Sequence, residues 1–306
     1  MSEAHVPAVV RSWLFVPGDS ERKQAKALST AADALIFDLE DSVALEQLPG
    51  ARARVADLIG ARAATGAQLW VRVNAPASGL LGEDLEAVCA AAMPDGIVLP
   101  KVSAAGELIA VAERLAGLEA RLGSRPLSTR LLVIATETPQ ALLALPQYPA
   151  ALAAGTAARA RLHGLTWGAE DLSTALGALG KYQADGSLTF TLQMARTLCV
   201  VTAAALSVAA IDGVHADFRD AAGLERELAD ARRDGFAGKL AIHPDQIAPI
   251  NAAFTPSEAE IEQARRVVAA FAATPGGGVA SLDGRMIDRP HLLQAQRLLA
   301  AVRGGT

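Results

Sequence analysis

Short apolar runs alternate with longer amphipathic stretches along most of the chain. Eight runs stand out, at 12–18, 34–41, 69–74, 96–102, 131–138, 164–171, 207–217 and 239–244. Most are near-continuous in Val, Ile and Leu. That pattern marks strands buried on both faces, as in a parallel sheet. Between them, segments such as 83–92, 104–122 and 189–206 carry the spacing of amphipathic helices. Strand and helix repeated eight times predict a closed (β/α)8 barrel. An open doubly wound sheet is the alternative, but no glycine-rich nucleotide fingerprint follows any strand.

The strand endings carry more than the strands. Each apolar run closes on polar residues: Asp38 to Asp41, Arg72 and Asn74, Lys101, Glu137, Glu170 and Asp171, Asp212 and Asp217, then His243. In such a barrel the carboxyl ends of the strands form one face, where the active site sits. One charged ending means little. Seven on one rim predict a site.

The C-terminal part departs from this rhythm. Ser257 followed by Glu260 reads as a capping box opening a helix to about Ala273. Three glycines at 276–278 then break the chain. An extended piece over 279–287 leads into a last helix near Pro290, a favoured first helical position. Residues 1–255 are therefore expected to form the barrel. Residues 256–306 are expected to form an arm or lid, packed on a neighbouring subunit.

Composition narrows the function classes. The hydrophobic share of 51% and charged share of 20% fit a globular protein. A net charge of −5 argues against nucleic-acid partners, although Arg22, Lys23 and Lys26 could hold phosphate groups locally. Neither a signal peptide nor an apolar span of membrane length is apparent, so the expectation is a cytoplasmic protein off the membrane. Cys89 and Cys199 sit in apolar helical patterns and read as structural thiols.

Glu137 and Asp171 close the fifth and sixth predicted strands, neighbours in the barrel. A carboxylate pair without His or Cys suits a hard cation that keeps waters, Mg²⁺ or Mn²⁺. Helix capping by Asp171 and an ion pair at Glu137 are equally compatible with the spacing. Arg72 can grip a carboxylate in a bidentate pair, or pair structurally with Asp38, Glu40 or Asp41. Glu40 and Asp41 can bind metal-bound water or pair with Arg52 or Arg54. Arg22 and Lys26, four apart, share a helix face. His243 reads as an imidazole satisfied by backbone hydrogen bonds, and Asp288 as a helix N-cap.

Seven segments, in order, resemble one family. They are Leu14-Phe15-Val16-Pro17-Gly18, Asp38-Leu39-Glu40-Asp41-Ser42-Val43, Val71-Arg72-Val73-Asn74, Leu99-Pro100-Lys101-Val102, Gly168-Ala169-Glu170-Asp171, Asp217-Phe218-Arg219-Asp220 and Gly238 to Pro244. Together they resemble the citrate lyase beta-subunit group of the HpcH/HpaI aldolase/citrate lyase family, which includes citramalyl-CoA and malyl-CoA lyases. That likeness, spanning essentially the whole chain, implies a TIM barrel of the pyruvate/phosphoenolpyruvate superfamily with a C-terminal helical arm.

The resemblance also implies roles. Glu137 and Asp171 match Mg²⁺ ligands, and Arg72 matches the arginine holding the substrate carboxylate. Phe15, Arg22 and Lys26 fall where relatives contact coenzyme A. Leu240 and Ala241 fall in a substrate-contacting stretch. Backbone donors from Gly168 to Glu170 would add to carboxylate binding. Met286-Ile287-Asp288-Arg289-Pro290 matches the segment in which the aspartate is the catalytic acid/base, delivered across subunits of a homotrimer. The implied activity is cleavage or condensation of a 3-hydroxyacyl-CoA thioester with a 2-oxo acid. Action on a carrier-protein thioester, malyl-CoA thioesterase activity, aldolase or mutase chemistry without coenzyme A, and a non-catalytic complex subunit remain alternatives.

Overall fold

The computed structural model describes residues 10–62, 65–274 and 278–303. Eight strands follow one another around a closed barrel. They are β1 Ser12–Pro17, β2 Ala34–Asp38, β3 Gln68–Arg72, β4 Gly96–Leu99, β5 Arg130–Ile134, β6 Leu162–Thr166, β7 Ala209–Asp212 and β8 Gly238–Ala241. Every neighbouring pair is parallel, and β8 closes on β1 with Lys239 opposite Ser12. The eight predicted strands are all present, in the predicted order.

Side chains alternate across each strand. One set, including Trp13, Ile36, Trp70, Val98, Leu132, Ile211 and Leu240, fills the barrel interior. The other set, including Phe37, Val71, Ile97, Leu131, Leu165 and Ala241, packs under the surrounding helices. Near the amino ends the interior is plugged by Trp13, Trp70 and His163, whose rings meet edge to face at 4.8–5.4 Å. Gly96 makes room for this plug, because a Cβ there would lie 2.1 Å from the Trp70 ring.

The strands stop earlier than their apolar runs. β2 ends at Asp38 because its carboxylate accepts from the Glu40 and Ser42 amides at 3.0 and 3.1 Å, which folds the chain into a turn. The stretch before β6 forms a short helix, Ala157–Arg161. Thr156 caps it, and Arg161 is driven inward to meet the buried Glu119.

The C-terminal helix Glu258–Ala272 starts with the predicted capping box of Ser257 and Glu260. The extended piece proves to be a hairpin, with β9 Val279–Leu282 antiparallel to β10 Arg285–Asp288. Asp283 and Gly284, at φ of +51° and +73°, form its turn. The last helix runs Arg289–Arg303. These elements share a small apolar cluster of Ala264, Val267, Ala280, Ile287 and Ala295. The predicted glycine break falls largely on residues 275–277, outside the described residues. No described helix is long and apolar enough to cross a membrane. Cys89 and Cys199 are both buried and unpaired, and burial pushes the Cys89 thiol up to about 12.

Candidate active site

A cavity of about 610 Å³ opens over the carboxyl ends of the strands. Period-two alternation builds its floor. Ile36 and Trp70 point into the barrel, so Asp38 and Arg72, two residues on, do so one layer higher. They sit opposite each other on paired strands. Arg72 donates Nε and Nη2 to the two Asp38 oxygens at 2.6 and 2.8 Å. Phe15 lies 4.8 Å from the Arg72 guanidinium. Asp38 is held below the ordinary carboxylate range: burial works against ionisation, but the Arg72 pair outweighs it.

Of the two readings for Arg72, the structural pairing is the one formed here. The flat edge of Arg72 is committed to Asp38, as the structural alternative had it. Nη1 remains on the cavity side, 3.2 Å from Glu40 Oε2 and 3.7 Å from Asp41. Glu40 and Asp41 do not reach Arg52 or Arg54. Arg52 pairs with Glu83 and Asp84, and Arg54 donates to the Asp19 carbonyl.

Glu137 lies three residues beyond β5 and is only 4% exposed. Its Oε2 accepts the Lys101 amide at 2.6 Å. Its carboxyl is pushed up to about 8, first by burial, with Glu40 and Asp171 adding repulsion against the help of Lys101. Gly168 packs directly on it, where a Cβ would meet Glu137 Cγ at 2.7 Å. Asp171 lies in the first turn of the helix Ala169–Ala175 rather than at the strand end.

Lys101 was assigned no role from sequence. Its backbone takes φ of +51°, which turns the amide toward Glu137. Its ammonium reaches Glu40 at 2.7 Å, Asp41 at 3.1 Å and Asp171 at 3.6 Å. The sequence signals were its place at the end of the fourth apolar run and within the Leu99-Pro100-Lys101-Val102 segment.

Arg22 and Lys26, on the helix Glu21–Leu28, line one side of the cavity with Phe15. Leu240 lines it as well. Ala241 does not, because its side chain belongs to the layer under the helices. The Gly168 amide is already donated to Thr136 Oγ1 at 3.2 Å. That leaves Ala169 and Glu170, whose amides open a helix and have no partner within it. The Glu170 side chain turns outward to pair with Lys181. His243 accepts the Asp245 amide and stacks on Phe218. Asp288 is not brought to the cavity within one chain. Its carboxylate meets His291 Nδ1 at 2.5 Å on the C-terminal hairpin.

The donor set suits a hard dication. Three carboxylates, Glu40, Asp41 and Asp171, gather around the Lys101 ammonium, with Glu137 held beside them by the Lys101 amide. The buried Glu40 Oε2 accepts no hydrogen bond. Among the described residues no group of three or more His, Cys, Asp or Glu side chains is placed to hold a metal ion. Two oxygen ligands with open positions fit an ion that keeps water or substrate oxygens, and do not fit a closed structural zinc site.

Comparison with known proteins agrees with this architecture. The HpcH/HpaI aldolase/citrate lyase family model matches residues 11–244. The (3S)-malyl-CoA thioesterase of Cereibacter sphaeroides is 38% identical over 299 residues, covering 97% of this chain and 96% of the relative. The mitochondrial citramalyl-CoA lyase of Homo sapiens is 34% identical over 94% of this chain and 83% of its own length. CitE from Mycobacterium tuberculosis, solved in complex with magnesium, acetoacetate and coenzyme A, superposes with a TM-score of 0.74 at 32% identity, covering 99% of both chains. This chain belongs to the HpcH/HpaI aldolase/citrate lyase family.

Proposed function

We propose that this protein is a magnesium-dependent carbon–carbon lyase. It cleaves a 3-hydroxyacyl-CoA thioester, such as citramalyl-CoA or malyl-CoA, into acetyl-CoA or a related thioester plus a 2-oxo acid. The observation that carries the reading is one cavity joining Glu137 and Asp171 to Arg72 within and to Arg22 and Lys26 at its side. The magnesium, oxo-acid and coenzyme A of the CitE complex support the same ligand set.

Glu137 and Asp171 would hold the ion, Mg²⁺ or Mn²⁺. The bound ion supplies Lewis-acid stabilisation of charge on the oxygen at the carbon being cleaved, worth roughly several kcal/mol. Arg72, fixed by Asp38, directs Nη1 at the oxo-acid carboxylate, and the Ala169 and Glu170 amides add donors. This orients the breaking bond. Arg22, Lys26 and Phe15 hold the coenzyme, and Leu240 forms the apolar wall. As the bond between the α and β carbons breaks, the β-hydroxyl gives up its proton to water in the open cavity and its oxygen becomes the 2-oxo group, while the electron pair stays on the thioester α-carbon. Asp288 delivers a proton there. Residues 256–306 act as an arm over the cavity of a neighbouring subunit in a homotrimer.

A thioesterase reading has its own support in the 38% identical (3S)-malyl-CoA thioesterase. One assay separates the two. Purified protein with Mg²⁺ is offered a panel of 3-hydroxydicarboxyl-CoA thioesters. Lyase activity releases a 2-oxo acid and a shorter thioester; hydrolysis releases the hydroxy acid and free thiol. Turnover of none of the panel would sink both. For the arm, mixed oligomers of Asp288→Ala and Arg72→Ala subunits should regain activity that neither variant has alone. No recovery in verified mixed oligomers would show that the site is not shared.

A further inference from the structure

A second cavity, of about 500 Å³, opens at the amino ends of β5 to β8. It lies on the opposite face of the barrel from the first, with the Trp13, Trp70 and His163 plug between them. Two arginines face it: Arg130, the first residue of β5, and Arg159, on the helix Ala157–Arg161. A third, Arg161, is close by but already neutralised by Glu119 at 2.6 and 2.7 Å.

Arg130 and Arg159 have no such partner among the described residues. Arg130 Nε donates to the Arg161 carbonyl at 3.2 Å, which is a neutral acceptor. Its guanidinium is held below its ordinary value by burial first, then by the positive charges of Arg159 and Arg161. Half-buried like charges facing one concavity are costly, and an anion between them would relieve that cost. The rest of the lining is small and apolar, with Ala154, Leu162 and Val208, plus the Ser207 residue at its edge. His163 adds no charge near neutral pH, because burial holds its ring down to about 4. The opening therefore offers two guanidinium groups beside small and apolar side chains.

We propose that this amino-end cavity is a binding site for a compact oxyanion, a small carboxylate or inorganic phosphate, gripped between Arg130 and Arg159. It is separate from the catalytic cavity and does not depend on the lyase reading. Its ligand would be chosen by size and by the match of two planar guanidinium groups to planar or tetrahedral oxygens.

Isothermal titration of the full chain tests this, in the absence of divalent metal and at constant ionic strength set with chloride. Inorganic phosphate and malonate are the probes, each titrated separately. Wild type should bind at least one of them saturably at one site. Arg159→Gln and Arg130→Gln should each weaken that binding at least about tenfold. The double variant Arg22→Ala, Lys26→Ala, which alters only the catalytic cavity, should leave it unchanged. The tighter of the two probes identifies the phosphate or carboxylate character of the ligand. If Arg130→Gln fails to fold, Arg159→Gln, on a short surface helix, still decides the matter. Absence of saturable binding by either probe overturns the proposal. So does binding that survives Arg159→Gln, or that disappears with Arg22 and Lys26.

Discussion

Glu119 and Glu137 are both buried glutamates, at 2% and 4% exposure, yet their surroundings are opposite. Glu119 lies in the helical layer toward the amino ends. It receives a forked pair from Arg161 and further hydrogen bonds from Leu127, Ser128 and Thr129. Burial alone would raise its pKa, but these donors outweigh it and hold it below the ordinary range. Glu137, on the catalytic rim, receives one backbone donor and looks toward two other carboxylates. A structural carboxylate is one whose every need the fold supplies. A carboxylate left short of positive charge, in a cavity, is a candidate for a working role.

The strongest way to break this contrast is Glu137→Gln. It should abolish metal-dependent turnover while leaving the metal-free melting temperature close to wild type, because the carboxyl is already largely protonated at neutral pH. A variant that turns over normally would remove Glu137 from the metal site. Next in size is Glu119→Gln. It should leave turnover per folded molecule intact but cost about 3–5 kcal/mol of stability, since Arg161 would remain buried without its counter-charge. Denaturant unfolding measures this, and a loss under about 1 kcal/mol would contradict the structural role assigned here.

The smallest effect is the most diagnostic. The Glu137 carboxyl, at about 8, lies above its unfolded value of 4.5, so folding without metal takes up a proton between those pH values. Its neutral form favours the metal-free fold at low pH, and that contribution fades as pH rises through 8. Magnesium needs the ionised form, so its affinity should climb by up to about tenfold per pH unit below 8 and level off above. Calorimetry at pH 7 in two buffers of different ionisation enthalpy should register close to one proton released per ion bound. A pH-independent affinity would break the link between Glu137 and the ion.

The barrel was legible because short apolar runs alternate with amphipathic helices eight times over. Their ends were not, since Asp38 closes its turn with its own side chain. The hairpin of β9 and β10 was legible in principle: Asp283-Gly284 is a favoured two-residue turn. It was read as one extended piece because its strands are short and weakly apolar. Within the site, the carboxylates and Arg72 were found from their places on the rim. Lys101 was passed over because its role depends on a left-handed backbone, which lysine does not advertise. The commitment of Arg72 to Asp38 likewise turns on strand register, and Ala241 on which face of β8 it occupies. Residue types were readable; directions needed three dimensions.

The ring plug of Trp13, Trp70 and His163 makes the catalytic cavity a cup rather than a channel. Whatever enters over the carboxyl ends must leave by the same opening. Substrate and products therefore share a single way in and out. A small ion held at the opposite face has no passage into the cup. Traffic at the two ends of the barrel is therefore independent, although a single layer of aromatic rings is all that divides them.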